Sequence, residues 1–350
     1  MLRVIIITIC FVTMFLSSCQ NIKRTNKTDL KVNIAIIIPN KDQNSDELAS
    51  VIESSLLSNS NANLVVQKHT QRNLKYRDIF ARNIPDIIIG PLLSSDAIPL
   101  INFAAQYNIP LITLSNNSLL ANNKDVFICG HCPMEREEAM LNYFIEQEYK
   151  DFIFVGFNNA NSRTIYHFIN EHLSKHGITI KASEFLYADP IALQESLKEI
   201  TRVVNEINES DEYKHKPVLY ISPEALSNEY IQNYIHNNRL DKKAIIATNE
   251  AAVQNQNDTN LALIFPGSID FWNQDRLKLD SSFLQILAHD TGMLISHHIG
   301  PNFQKKLFIH RLNSTEDLPM LGGKISVERG IAKRKYDILK QSGLSISKLK

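Results

Sequence analysis

The stretch PDIIIGPLLSSDAIPLINFAAQYNIPLITLSNNS, Pro85 to Ser118, decides how the rest of the chain is read. Asp86–Ile89 is a short β-branched run closed by Gly90-Pro91, too short for a helix, and it predicts a buried strand. Ser94–Tyr107 then carries apolar residues at helical spacing behind a pair of serines, and Pro110–Leu114 is a second short apolar run. Strand, helix and strand in so few residues define a crossover between parallel neighbours.

The same alternation runs outward in both directions. Further strands are predicted at Val32–Ile38, Leu64–Gln67, Val126–Cys129, Phe152–Val155, Ile178–Ala182, Val218–Ile221, Ala244–Ala247 and Leu261–Phe265. Helices are predicted at Ser45–Ser58, Met134–Glu148, Arg163–His176, Ala192–Asn208, Pro223–Asn237 and Ser281–His298. Short apolar strands between amphipathic helices indicate an α/β protein whose parallel sheets are flanked by helices. Roughly 320 residues beyond position 30 exceed one typical domain, so two lobes with a cleft between them are expected. No repeat of fixed period and no heptad pattern is present.

In such sheets a ligand sits beyond the carboxyl ends of the strands. The loops there, Pro39–Asn44, Gly90–Ser95, Ser115–Ser118, Gly156–Asn161, Ser222–Glu224 and Thr248–Glu250, are rich in Ser, Asn, Thr and Gly. They are poor in groups for acid–base work, and no GxSxG, Walker A or HExxH string occurs. Neither an enzyme nor a cofactor is expected. The 37 basic and 37 acidic residues cancel, which argues against a nucleic-acid partner.

The N-terminus reads MLRVIIITICFVTMFLSSC. Arg3 precedes an apolar run from Val4 to Leu16, too short to span a bilayer but fitting a secretory signal. Leu16-Ser17-Ser18-Cys19 resembles the bacterial lipobox, which implies cleavage before Cys19, lipidation of its thiol and palmitate-bearing attachment to a membrane. Gln20 after the cysteine implies the outer membrane, with the domain facing the periplasm. The resemblance makes residues 1–18 a lipoprotein signal peptide, with an ordinary signal or anchor helix that ends in Cys as the alternative, and the polar, aperiodic 19–30 is read as a flexible tether.

The Pro85–Ser118 stretch resembles the first lobe of type 1 periplasmic-binding-protein folds. Its continuation, VFICGHCPMEREEAMLNYFIEQEYKDFIFVGFNN, resembles penicillin-binding protein activators, lipoproteins that stimulate peptidoglycan synthases. The closing LGGKISVERGIAKRKYDILK is similar to the end of that family too. The likeness runs from about Lys31 to Lys340, and its first motif is shared with branched-chain amino-acid-binding receptors. It implies a two-lobed domain over 31–350, with lobe 1 at about 31–128 and 281–310. Lobe 2 would take about 133–262 and part of the C-terminal strands. Some activators carry a helical-repeat domain ahead of this one; here the tether leads straight into the first strand.

In amino-acid-binding relatives, the loops after Gly-Pro and after the IPLITLS strand hold a carboxylate and an ammonium. By resemblance Ser94, Ser95, Ser115 and Asn116 take those places, and a Ser-rich helix start suits a carboxylate. Capping of the helix by Ser94 or Ser95 is the alternative. The second lobe has GFNNANSRT, with Asn158 but without the DNxYG-like tyrosine, and Glu250 falls where a carboxylate would pair an ammonium.

Cys129-Gly130-His131-Cys132 matches the tetrad of disulfide isomerases, with Pro133 and MEREEAM offering a helix start just behind it. A Cys129–Cys132 disulfide or an inert pair competes with a redox role; with His131 they make three soft ligands where a structural zinc site wants four, and only a distant His could add the fourth. His297 and His298 close a helix whose dipole suits cations. Phe271 and Trp272 either line the cleft, face a partner or anchor their own loop. The function expected first is a non-catalytic lipoprotein that binds and regulates a penicillin-binding protein. A receptor for an amino acid or similar polar ligand and a periplasmic thiol oxidoreductase are the alternatives.

Overall fold

The computed structural model describes residues 31–39, 45–70, 75–81, 83–130, 134–210, 215–249, 261–269, 272, 283–343 and 345–350. Cys19, His131, Cys132, Glu250 and Phe271 lie outside them. The strands are β1 (Lys31–Ile37), β2 (Asn63–His69), β3 (Ile87–Ile89), β4 (Leu111–Thr113), β5 (Val126–Ile128), β6 (Phe152–Phe157) and β7 (Ile180–Leu186). They continue as β8 (Val218–Ile221), β9 (Ile245–Ala247), β10 (Leu263–Gly267), β11 (Lys324–Glu328), β12 (Ile331–Lys335), β13 (Asp337–Ser342) and β14 (Ser345–Lys348). The longer helices are α1 (Ser45–Asn59), α2 (Ser94–Gln106), α3 (Glu135–Glu146), α4 (Ala160–Lys175), α5 (Pro190–Glu209), α6 (Glu229–Asn237), α7 (Phe283–His298) and α8 (Lys305–Asn313).

Period-two alternation of apolar residues covers each sheet on both faces. Along β1, Ile34 and Ile36 enter one core cluster and Ala35 and Ile37 another; along β6, Ile153 and Val155 part in the same way from Phe152 and Phe154. The first sheet has the order β11-β12-β5-β4-β3-β1-β2 and the second β14-β13-β10-β9-β8-β6-β7. Strands β1 to β5 and β6 to β10 are parallel; β12 joins β5 in parallel with antiparallel β11 at its edge, and the antiparallel β13 and β14 finish the second sheet. These two sheets of parallel strands flanked by helices form the two lobes.

Helix α7 lies on α1, so residues at opposite ends of the chain build one core. The approach is close: a methyl group at Gly292 would lie 2.7 Å from the Ile52 carbonyl oxygen and 2.7 Å from Ser55 Cβ. The predicted helix Pro223–Asn237 is two pieces, Pro223–Leu226 and α6. Asn228 interrupts it because its side chain accepts the amides of Tyr230 and Ile231, at 3.0 and 3.3 Å, and caps the second piece.

One of the two histidines closing α7, His298, also departs from the cationic state expected there. Burial, with His297 and Arg311 nearby, pushes the His298 pKa down to about 4, so this ring is neutral at pH 7. Its Nε2 meets Thr315 Oγ1 at 2.8 Å. The unfolded chain, with a histidine pKa of 6.5, takes the proton first, so stability is lost as pH falls from 6.5 through about 4. Above pH 6.5 this ring adds no slope. Melting temperatures of the protein and of His298→Gln across that window check this: the variant has the shallower decline.

Candidate functional site

At the carboxyl edge of the first sheet, β3 passes through Gly90 into the loop that starts α2. Gly90 has φ +99°, and a Cβ there would sit 2.0 Å from the Ile37 carbonyl oxygen, so only glycine fits. Thr113 Oγ1 donates to Pro91 O at 2.8 Å and accepts from Ser115 N at 3.1 Å, pinning the loop after β4 to the loop after β3. Ser94 and Ser115 are brought together, their hydroxyl oxygens 2.7 Å apart. The residue capping α2 is Leu93, without a side-chain cap bond, so Ser94 spends its hydroxyl on Ser115. Ser115 is fully buried and also accepts from Asn117 N at 3.1 Å, whereas Ser95 and Asn116 are exposed. Ser115→Ala takes the acceptor from the Asn117 amide and the partner from the Ser94 hydroxyl, and lowers stability by about 1–2 kcal/mol, with Ser95→Ala near zero, as denaturant unfolding measures.

The second lobe closes its polar groups on one another in the same way. Asn158 Oδ1 accepts from Arg163 at 2.5 Å, and Asn159 caps α4 by accepting Ser162 N at 2.8 Å. Buried Ser162 lies 3.4 Å from buried Ser222, and Thr248 donates to Ile221 O at 2.9 Å. Beside Thr248, Asn249 donates to Glu137 at 2.8 Å and accepts from Arg136 at 3.2 Å. Tyr220 donates to the same Glu137 oxygen at 3.3 Å, and burial first, then that carboxylate, raises the phenol well above its ordinary range. Arg136 and Glu137 are both buried at the start of α3. In the sequence they look like part of a solvated acidic first turn, MEREE; their partner Asn249 lies more than a hundred positions away.

The passages between the lobes carry a second buried network. Cys129, at the end of β5, is buried and donates its amide to Thr113 O at 2.8 Å. Gly130 follows, where an added Cβ would stand 1.9 Å from the Ser115 carbonyl oxygen. Helix α3 begins at Glu135 after Met134 in the left-handed region, φ +69°. Cys129 is therefore at a strand end and not at a helix start, where a dipole would activate its thiol. Arg334 of β12 reaches Cys129 O with both terminal nitrogens at 3.4 Å and pairs with Asp290 of α7 at 3.9 Å. Asp290, wholly buried, also accepts the amides of Leu321 and Gly322 at 3.0 Å each. Arg136 lies 5.4 Å over the Tyr336 ring, and Ile269 N donates to Asp337 at 3.1 Å, so all three passages are tied together. The signal for this network was Asp290 itself, an acid inside the apolar helix FLQILAHDTGMLISHH.

Trp272 packs edge-on against Phe265, 5.6 Å between centroids, and is buried in the second lobe's core. Among the described residues no three His, Cys, Asp or Glu side chains gather as metal ligands, and no helix is long and apolar enough to cross a membrane.

Two lobes joined by three passages, with the cleft at the carboxyl ends of parallel strands, define the type 1 periplasmic-binding-protein fold. The chain belongs to the family described as the receptor family ligand binding region, matched over residues 18–336. It is 27% identical to an uncharacterized protein of Rickettsia prowazekii, over 95% of this chain and 93% of that one. Among solved structures it is similar to the C-domain of LpoA from Haemophilus influenzae, a regulator of PBP1A, at TM-score 0.62 and 15% identity, over 91% of this chain and 100% of that one. It is also similar to a putative branched-chain amino acid ABC transporter protein from Rhodospirillum rubrum, at TM-score 0.70 and 8% identity, over 91% and 100% of the two chains.

Proposed function

We propose that this chain is a non-catalytic lipoprotein, anchored through Cys19 to the outer membrane and facing the periplasm, that binds and regulates a penicillin-binding protein. The observation that supports a regulator over a solute receptor is the self-satisfaction of the crevice. Ser94 with Ser115, Asn158 with Arg163, and Glu137 with Asn249 and Tyr220 already use the groups a polar ligand would need. A ligand entering there exchanges made hydrogen bonds for new ones and gains little. The likeness to LpoA, named as a regulator of PBP1A, supports the same reading.

The test captures the protein from residue 20 onward, with a crosslinker, against detergent-solubilised membranes whose penicillin-binding proteins carry a labelled penicillin. A labelled synthase enriched over a mock capture is the expected result; none, with protein shown folded by its unfolding transition, removes the reading. A receptor for an amino acid is the second reading, favoured by the likeness to a protein named as a putative branched-chain amino acid ABC transporter. A thermal-shift screen of amino acids decides it. Mass spectrometry of the mature N-terminus tests the anchor, expecting a diacylglyceryl group on Cys19.

A further inference from the structure

A groove of about 1070 Å³ lies between α3 and the two C-terminal hairpins, lined by six cationic and four acidic residues. Most of these charges are committed. Lys348 pairs with Asp337, Lys350 with Glu146, Lys333 with Glu328, and Arg334 is turned inward to Asp290. Lys324 and Lys335 are different. They stand directly opposite each other across the β11–β12 hairpin, both exposed into the groove, and neither has an acidic partner among the described residues. Like charges facing across a ladder are destabilising, so the pair works against the fold.

We infer that this groove is a docking site for an acidic, extended peptide segment, whose carboxylates sit on Lys324 and Lys335. Paired ammonium groups are receptors for anionic oxygens. The facing helix presents exposed Glu138, an acceptor suited to the N–H groups of a peptide and hostile to a compact anion alone. A volume of about 1070 Å³ exceeds what one amino acid fills and accommodates several residues. Because Lys324 and Lys335 belong to the first sheet and α3 and Lys348 to the second lobe, an occupant touches both lobes and biases the angle between them. This goes beyond the function proposed above: the chemistry of the occupant holds whichever protein supplies it.

The experiment uses the mature chain and a fluorescein-labelled Asp/Glu hexapeptide, with its Asn/Gln counterpart as control, read by anisotropy at low ionic strength. The acidic peptide binds, the neutral one does not, and added salt weakens the complex. Lys324→Gln/Lys335→Gln weakens binding about tenfold, while Lys175→Gln, whose lysine pairs with Glu171 on α4, does not. The double variant also melts at the same temperature or higher, since a repulsion is removed. Equal binding of both peptides, equal loss in Lys175→Gln, or displacement by inorganic phosphate at matching concentration each overturns the proposal. So does a double variant that melts lower than the parent. Failure of penicillin-binding-protein capture leaves this site standing, and failure here leaves that capture unaffected.

Discussion

Replacing Asp290 by alanine lowers the unfolding free energy by about 3–5 kcal/mol, the cost of leaving a buried charge without its partner. The carboxylate is wholly buried and meets four groups: the amides of Leu321 and Gly322, the Arg334 guanidinium and, at 3.3 Å, His289 Nδ1. Removing it strands Arg334, whose side chain is 2% exposed, in the core beside Cys129 O. Urea unfolding measures the effect as a lower midpoint at unchanged slope. Adding Arg334→Met to Asp290→Ala recovers part of the loss, because the stranded charge is gone while the two amides stay unsatisfied. A double variant no better than the single would mean that the ion pair is incidental and the loop amides carry the whole effect.

Gly130→Ala is expected to cost about 3 kcal/mol or more, because its new methyl group has nowhere to go. It would lie 1.9 Å from Ser115 O, 2.3 Å from Ser115 C and 2.5 Å from Leu114 O. All three are backbone atoms, held by the Thr113–Pro91 and Ser115–Thr113 hydrogen bonds, so no side chain can swing aside. Gly300→Ala is the control: its Cβ would meet Arg311 Nη1 at 3.5 Å, ordinary contact, and it stays near the parent. The glycine in Cys-Gly-His-Cys is thus required by close packing between a passage and the loop after β4. That requirement accounts for its place without any redox chemistry.

What was legible in the sequence followed from burial on both faces. Runs such as the three isoleucines of β3 can only be strands inside a covered sheet, and they placed the helices between them. The Pro85–Ser118 stretch also located the serines that meet, Ser94 and Ser115. It could not say that they meet each other, because hydrogen-bond partners across a crevice leave no local pattern. The networks of Glu137 with Asn249 and of Arg334 with Cys129 join positions 112 and 205 residues apart, beyond any periodicity. The final hairpin β13–β14 was unread beyond Lys340 for another reason: Ser345–Lys348 is a short, mostly exposed edge strand with little apolar signal.

The way the C-terminal strands are shared between the sheets bears on how the nascent chain folds. A ribosome delivers β1 to β5 first, yet their sheet waits for β12 to cover the edge of β5. The apolar flank of α1 likewise waits for α7, synthesised more than two hundred positions later. The strands β6 to β10 form an uninterrupted block, so the later-made lobe assembles its centre early, yet its β10 edge stays bare until β13 and β14 emerge. Vectorial emergence therefore leaves both sheets open until the last residues: β12 closes the first, and β13 and β14, made just after it, close the second. A chain interrupted after β10 presents the bare edges of β5 and β10 and the uncovered flank of α1 at once, surfaces of the kind that drive aggregation of incomplete chains.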